Sequence, residues 1–223
     1  MKVDIISIPW GIREESGNIC VAMAEANKKC ISVLAAGPNA PRGRYDPFPA
    51  SLGSVISIGS SDGLGEPSHL SLRYITDMYC ALGEGVMGAN PIGSRENDST
   101  QLSSIRRDGT SVATCVATGL AALLIDYARR FLDGSCIKPN TLQAILHGIS
   151  EASTQRFYRY ISPWGIFGPN KDTKETLKNI MNIVVDGVRI FPLELRLIKL
   201  EPIIPMQSKL SSCTGTSFPI QLR

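Results

Sequence analysis

Residues 109–131 read GTSVATCVATGLAALLIDYARRF, a glycine and two hydroxyl residues followed by a long apolar run. The run predicts a helix over 111–131 whose first four turns are apolar nearly all round, so that the helix lies inside the molecule. Charged residues enter only toward its C-terminal end, and Gly134 can terminate it. Ser111 then stands at the first turn of a buried helix, where unpaired N–H groups and the positive end of the helix dipole stabilise negative charge.

Two interpretations of this serine are open. A nucleophile that passes through an oxyanionic intermediate would use such a position. Serine and threonine are also preferred helix caps, so Thr110 or Ser111 could serve in capping alone. The rest of the sequence has to decide between them.

The segments before this helix predict a parallel sheet. Short apolar runs rich in β-branched residues predict strands over 3–8, 31–36 and 55–59. A helical pattern over 18–29 separates the first two runs, and strand, helix, strand in that order is a βαβ unit. The predicted fold class is α/β, a three-layer fold with a mostly parallel sheet and helices on both faces.

The rest of the chain divides into three parts. Residues 1–150 are expected to form one domain, in which 140–149 is a helix and the stretch 62–108 is mostly loops, with glycines that punctuate short extended pieces. Residues 151–187 are expected to form a helical extension, with a helix capped by Asp172. Residues 188–223 predict an irregular tail.

Composition excludes several classes of function. The 223 residues are 43% hydrophobic and 19% charged, which is typical of a soluble globular protein. A net charge of +3 is too slight to indicate nucleic-acid or membrane-surface binding, and no uninterrupted run of apolar residues reaches the length of a membrane span. Residues 1–9 make a poor signal peptide, and the six cysteines lack metal spacing, so we expect reduced thiols in a cytoplasmic protein. No carboxylate cluster predicts calcium, and we expect no metal or cofactor.

Four segments occur in an order that identifies a family: IISIPWG at 5–11, VLAAGPN at 33–39, FPAS at 48–51 with VISIG at 55–59, and GTSVA at 109–113. Together they resemble the subtilisin-like serine proteases, peptidase family S8, and look closest to intracellular fungal members. The resemblance covers about residues 3–130, the C-terminal two-thirds of such a domain. It therefore implies a fold that is incomplete at its N-terminus.

The resemblance implies a role for each matching residue. Ser111 matches the nucleophile, whose own N–H donates to the oxyanion, and the family's second oxyanion donor is an asparagine amide, here Asn39. One wall of the groove for an extended polypeptide is implied at Pro9, Trp10 and Gly11, and the opposite wall at Ala35, Ala36 and Gly37. Trp10 could narrow that pocket or could equally be a buried core aromatic.

The departures from the family pattern concern the oxyanion hole and the base. Pro38 stands where the asparagine is expected, so Asn39 comes one residue late, and either the loop re-aims it or the donor is lost. The family's aspartate and histidine segments precede the point at which this chain begins. The two histidines of the chain are poor substitutes, because His147 follows the serine on another predicted helix and His69 lies in a loop.

Three hypotheses follow. The first is a serine endopeptidase whose aspartate and histidine segments lie in a missing N-terminal part of the same domain. The second is an inactive pseudoprotease or fragment that acts as a peptide-binding or regulatory module. The third is an unrelated α/β scaffold in which Ser111 only caps a helix. Because a sheet cut after its first strands exposes open edges, we expect residues 1–223 alone to express poorly or aggregate.

Overall fold

The computed structural model describes residues 3–39, 47–69, 78–89, 104–131, 137–152 and 158–185. The predicted tail 188–223 lies outside these residues. The elements in chain order are β1 Ile5–Ile8, α1 Gly17–Lys28, β2 Ser32–Ala36, β3 Ile56–Ser61, β4 Met78–Leu82, β5 Val86–Ala89, β6 Ser104–Arg107, α2 Thr110–Phe131, α3 Pro139–Gly148, β7 Ser150–Ala152, β8 Tyr158–Ile161, α4 Trp164–Phe167 and α5 Thr173–Val185.

Six strands form one sheet in the order β1-β2-β3-β4-β8-β7. The first four pairings in that order are parallel, and only β7 runs antiparallel to its neighbour. The predicted α/β class with a mostly parallel sheet is thereby confirmed. Strand β1 lies at one edge of the sheet, which matters for the site described below.

Helices cover both faces of this sheet, and strand β2 shows why. Leu34 points into a core shared with α2, α3 and α5, whereas its neighbours Val33 and Ala35 point into a second core with Met23 and Ala26 of α1. All five residues of β2 are buried. A strand that is buried on both faces reads as a continuous apolar run, which is why it was predictable.

In two segments the structure contains strands of the sheet that the sequence did not predict. The stretch 62–108, expected to be mostly loops, contains β4 in the middle of the sheet and an antiparallel ribbon of β5 and β6. The segment 151–187, expected to be helical, includes the end of β7 and all of β8, which join the main sheet. The proposed division into domains stays a prediction.

Helix α2 is buried on one face only. Small residues, among them Ala113, Ala117 and Ala121, are fully buried against the sheet, while Val116 is 38% exposed and Leu123 is 50% exposed. The prediction that its first four turns are buried all round was therefore wrong, because within the described residues no element covers the side away from the sheet. By length and composition α2 could also cross a membrane, but it packs against β1 to β4, as the core helix of an α/β fold does.

The buried thiol of β4 gives the fold a measurable dependence on alkaline pH. Burial raises the pKa of Cys80 from 9.0 to about 12. Between these values the unfolded chain binds fewer protons than the folded chain, so stability is full below pH 9 and falls as the pH rises. The expected slope approaches about 1.4 kcal/mol per pH unit.

Urea unfolding at several pH values between 8 and 11 measures this slope. Cys80→Ala should remove most of it. The pKa of Tyr160 is also raised, first by burial and then by the negative charges of Glu151 and Asp62. Tyr160 is present in both wild type and Cys80→Ala, so it contributes to the pH dependence of stability that remains in the variant. Equal slopes in the two proteins would contradict the assignment to Cys80.

Candidate active site

Ser111 is the second residue of α2, and the loop before it is fixed to the end of β4. The N–H of Gly109 donates to the carbonyl of Gly83 at 2.7 Å. The N–H of Gly85 donates to Oδ1 of Asp108 at 2.6 Å. Since Gly83 follows directly on β4, the sheet positions the mouth of the helix.

Gly109 has a backbone conformation that side chains rarely adopt, with φ +135°. A Cβ atom at this position would also lie 3.1 Å from Nδ2 of Asn39. Both observations require glycine directly before the helix. They also show that the side chain of Asn39 lies against the serine loop.

Asn39 caps the helix. Its Oδ1 accepts a hydrogen bond from the backbone N–H of Thr110 at 3.1 Å, which satisfies the first unpaired donor of α2. The extra residue Pro38 is buried and does not carry Asn39 away from the loop. With Oδ1 bound in this way, Nδ2 is the remaining polar atom of the side chain and lies against Gly109.

The hydroxyl of Ser111 is half-buried and forms no hydrogen bond with any described residue. His69 is 75% exposed in its loop, and its Nδ1 lies 3.0 Å from Oε1 of Glu84. His147 lies on α3 with its ring edge-on to that of Tyr79. These contacts place neither histidine against Ser111.

The first predicted wall of the groove is accessible. Pro9 is half-buried, Gly11 is exposed, and Trp10 is 51% exposed, so Trp10 is not a buried core aromatic. Directly after them, Ile12 and Phe48 exchange two backbone hydrogen bonds of 2.9 Å each. The segment 9–11 is thereby held at the end of β1.

The segment predicted for the second wall is largely buried. Ala35 and Ala36 are 0% and 3% exposed, and Ala35 belongs to the core under α1. Gly37 is also buried, and its N–H donates to the carbonyl of Ile58 at 2.8 Å. Of this stretch only Asn39 is exposed.

Sequence analysis missed Gly83. A Cβ there would lie 2.8 Å from the carbonyl oxygen of Gly109 and 3.0 Å from Cβ of Ala113, and it would overlap Oγ of Ser60. The only signal was a glycine after an apolar pentapeptide, which is too common to single it out. Asp62 is a turn residue, since its Oδ1 accepts hydrogen bonds from the N–H groups of Leu64 and Glu66.

Solved structures with the same fold are proteases and a macrocyclase. The prenylagaramide maturation protease PagA matches with a TM-score of 0.63 and 22% identity over 78% of this chain. The patellamide maturation protease PatA matches with a TM-score of 0.62 and 25% identity over 79% of this chain. The PatG macrocyclase in complex with peptide matches with a TM-score of 0.62 and 19% identity over 78% of this chain. No curated protein matches the chain.

The chain spans less than two-thirds of these relatives: 62% of PagA, 63% of PatA and 51% of PatG. The family model described as "Subtilase family", Peptidase_S8, matches residues 1–160, which include Asn39 and Ser111. The chain therefore belongs to the subtilase family.

Proposed function

We propose that the protein is a serine-type endopeptidase in which Ser111 is the nucleophile. The observation that carries the proposal is the hydrogen bond between Oδ1 of Asn39 and the N–H of Thr110. It holds the amide of Asn39 beside Ser111 in spite of the preceding proline. The bond is itself a helix cap, and the role of Nδ2 as the second oxyanion donor is part of the proposal.

The chemistry is acyl transfer. The hydroxyl oxygen of Ser111 attacks the carbonyl carbon of the scissile bond, and its proton passes to a base. The oxygen of the tetrahedral intermediate then accepts hydrogen bonds from the N–H of Ser111 and Nδ2 of Asn39. Collapse releases the amine with a proton from the base, and water hydrolyses the acyl-enzyme.

The base is not among the described residues, because both histidines lie elsewhere. We propose that a histidine and its orienting carboxylate come from a segment of the same domain beyond these residues. Without them the serine is a poor nucleophile, and the oxyanion hole alone supplies about 10³–10⁴-fold acceleration. The 223 residues by themselves should accordingly be nearly inactive.

The substrate we propose is an extended polypeptide that lies along Pro9, Trp10 and Gly11 and reaches Asn39. The exposure of these residues supports the proposal. A PatG structure holds a peptide on the same fold. We keep an intracellular, fungal-type enzyme as part of the proposal, on the resemblance of the four sequence segments alone.

A fluorophosphonate probe tests the proposal, because it reacts only with an activated serine. In the product isolated from its own source, we expect labelling on the peptide containing Ser111. Ser111→Ala should abolish it, and replacement of the exposed Ser51 by alanine should not. A folded product that binds an extended peptide but is not labelled would reject the enzyme and support an inactive peptide-binding module.

A further inference from the structure

The ribbon of β5 and β6 presents two arginines close to the candidate nucleophile. Arg106 and Arg107 are the last two residues of β6, and both side chains are exposed. Arg107 precedes Ser111 by four residues. Since four residues of extended chain span at most about 14 Å, the arginines lie within reach of a substrate bound at the serine.

Contacts lead step by step from Arg106 to the oxyanion donor. A Cβ built at Gly85 would lie 3.4 Å from Nη1 of Arg106. The N–H of Gly85 donates to Oδ1 of Asp108, and the next residue, Gly109, lies against Nδ2 of Asn39. The base of the ribbon is therefore part of the surroundings of the serine loop.

Neither arginine is engaged by another described residue. The ion pairs and hydrogen bonds of the described side chains include neither Arg106 nor Arg107. A guanidinium group offers five N–H donors in a planar fork, and this fork matches the two oxygens of a carboxylate. Successive residues of a strand point to opposite faces, so each face of the ribbon carries one such group.

The neighbouring carboxylates are engaged. Oδ1 of Asp108 accepts the hydrogen bond from the N–H of Gly85 at 2.6 Å. Oε1 of Glu84 accepts a hydrogen bond from Oγ of Ser68 and lies 3.0 Å from Nδ1 of His69. The charged side chains at the base of the ribbon that have no described partner are therefore the cationic donors, which favour an anionic ligand.

The strand order places the ribbon across the site from segment 9–11. Segment 9–11 follows β1, Asn39 follows β2 as the third residue beyond it, and Gly83 follows β4 and leads into the ribbon. The carboxyl ends of parallel strands share one edge of a sheet, where α/β folds bind their ligands. A polypeptide that lies along segment 9–11 and continues past Asn39 and Ser111 therefore meets the base of the ribbon.

We infer that Arg106 and Arg107 determine specificity by binding an acidic side chain of the polypeptide. This acidic residue lies on the side of the scissile bond that faces away from segment 9–11. The inference rests on the proposed function, because that function places the scissile carbonyl at Ser111. An exposed ion pair with an arginine should favour glutamate over the uncharged glutamine by about 5-fold.

Cleavage of matched peptides tests the inference in the product isolated from its own source. The substrates are short neutral peptides that carry one glutamate or one glutamine at each position on either side of the cleaved bond. We expect kcat/KM to be about 5-fold higher for glutamate on one side only, and this preference to fall below about 2-fold in about 0.5 M salt. The absence of a preference, or an equal preference on both sides, overturns the inference.

Charge variants locate the contact. Arg106→Gln combined with Arg107→Gln should remove the preference, and glutamate at both positions should reverse it to about 5-fold in favour of lysine. The two single glutamine variants show which face of the ribbon contacts the substrate.

Arg130→Gln is the matched control. Its side chain is 68% exposed, and it lies 19 residues beyond Ser111 on α2, about 28 Å away at about 1.5 Å per residue. The control should keep the wild-type preference for glutamate. An equal loss in Arg130→Gln would show that only the net charge matters and would overturn the inference.

Fluorophosphonate labelling separates this inference from the proposed function. Labelling of Ser111 in the double glutamine variant shows that the variant is folded, so an unchanged preference there rejects the role of the arginines and leaves the enzyme standing. If wild type is not labelled, the enzyme is rejected, and binding of the same peptides by fluorescence anisotropy decides on the arginines. Tighter binding of the glutamate peptide in wild type but not in the double variant supports them, and equal binding overturns them.

Discussion

Asn39→Asp is expected to slow fluorophosphonate labelling of Ser111 by about 100–1000-fold in the source product, with little change in the free energy of unfolding. The carboxylate still accepts the hydrogen bond from the N–H of Thr110, and a negative charge is favourable at a helix N-terminus. What the variant loses is the Nδ2 donor. It also places a negative charge where the oxyanion develops.

Asn39→Ala is the matched comparison. It loses the cap as well as the donor, so labelling should slow by a similar factor while the free energy of unfolding falls by about 1 kcal/mol. Labelling kinetics and urea unfolding measure the two effects separately. If Asn39→Asp labels as fast as wild type, the amide is a cap and nothing more.

Gly83→Ala is expected to abolish labelling and to lower the free energy of unfolding by about 1–3 kcal/mol. The added methyl group would lie 2.8 Å from the carbonyl oxygen of Gly109 and 3.0 Å from Cβ of Ala113. Both neighbours are parts of the serine loop and its helix and cannot swing aside. The loop must therefore shift, and a displacement of about 1 Å can cost two orders of magnitude in rate.

Gly63→Ala is the control for this substitution, since a Cβ there meets nothing within 4 Å. The two variants should differ clearly in the rate of fluorophosphonate labelling and in the free energy of unfolding in urea. Comparable behaviour of Gly63→Ala and Gly83→Ala would show that the contact between β4 and the serine loop is unimportant.

The sequence predicted best the elements whose burial produces a simple run of apolar residues. Strand β2 is buried on both faces and α2 is long, so each gave an apolar run that local rules assign correctly. Strand β8 was missed because Arg159 lies between Tyr158 and Tyr160, and a charge in a short run suggests a loop. Strand β4 was missed as a member of the main sheet because Gly83, Gly85 and Gly88 follow it closely, and frequent glycines indicate loops.

At the candidate site, the sequence nominated residues but could not give their geometry. The sequence could not show whether the side chain of Asn39 reaches the serine loop despite the extra residue Pro38. A local backbone turn can compensate for a one-residue insertion, and hydrophobic periodicity does not report such turns. The burial of Ala35 and Ala36 agrees with the buried strand predicted over 31–36. Apolar character predicted burial for all of α2, but burial also needs a covering element, which the described residues lack.

The two hydrogen bonds at Gly83 and Gly85 have a consequence for how the family can diversify. They join the chain leaving β4 to the chain entering α2, so residues 83–109 form a loop closed at its neck. Insertions or substitutions along the ribbon of β5 and β6 lie beyond this neck. We expect them to leave the position of Ser111 unchanged. We therefore expect this part of the chain to tolerate new surface chemistry without displacing Ser111.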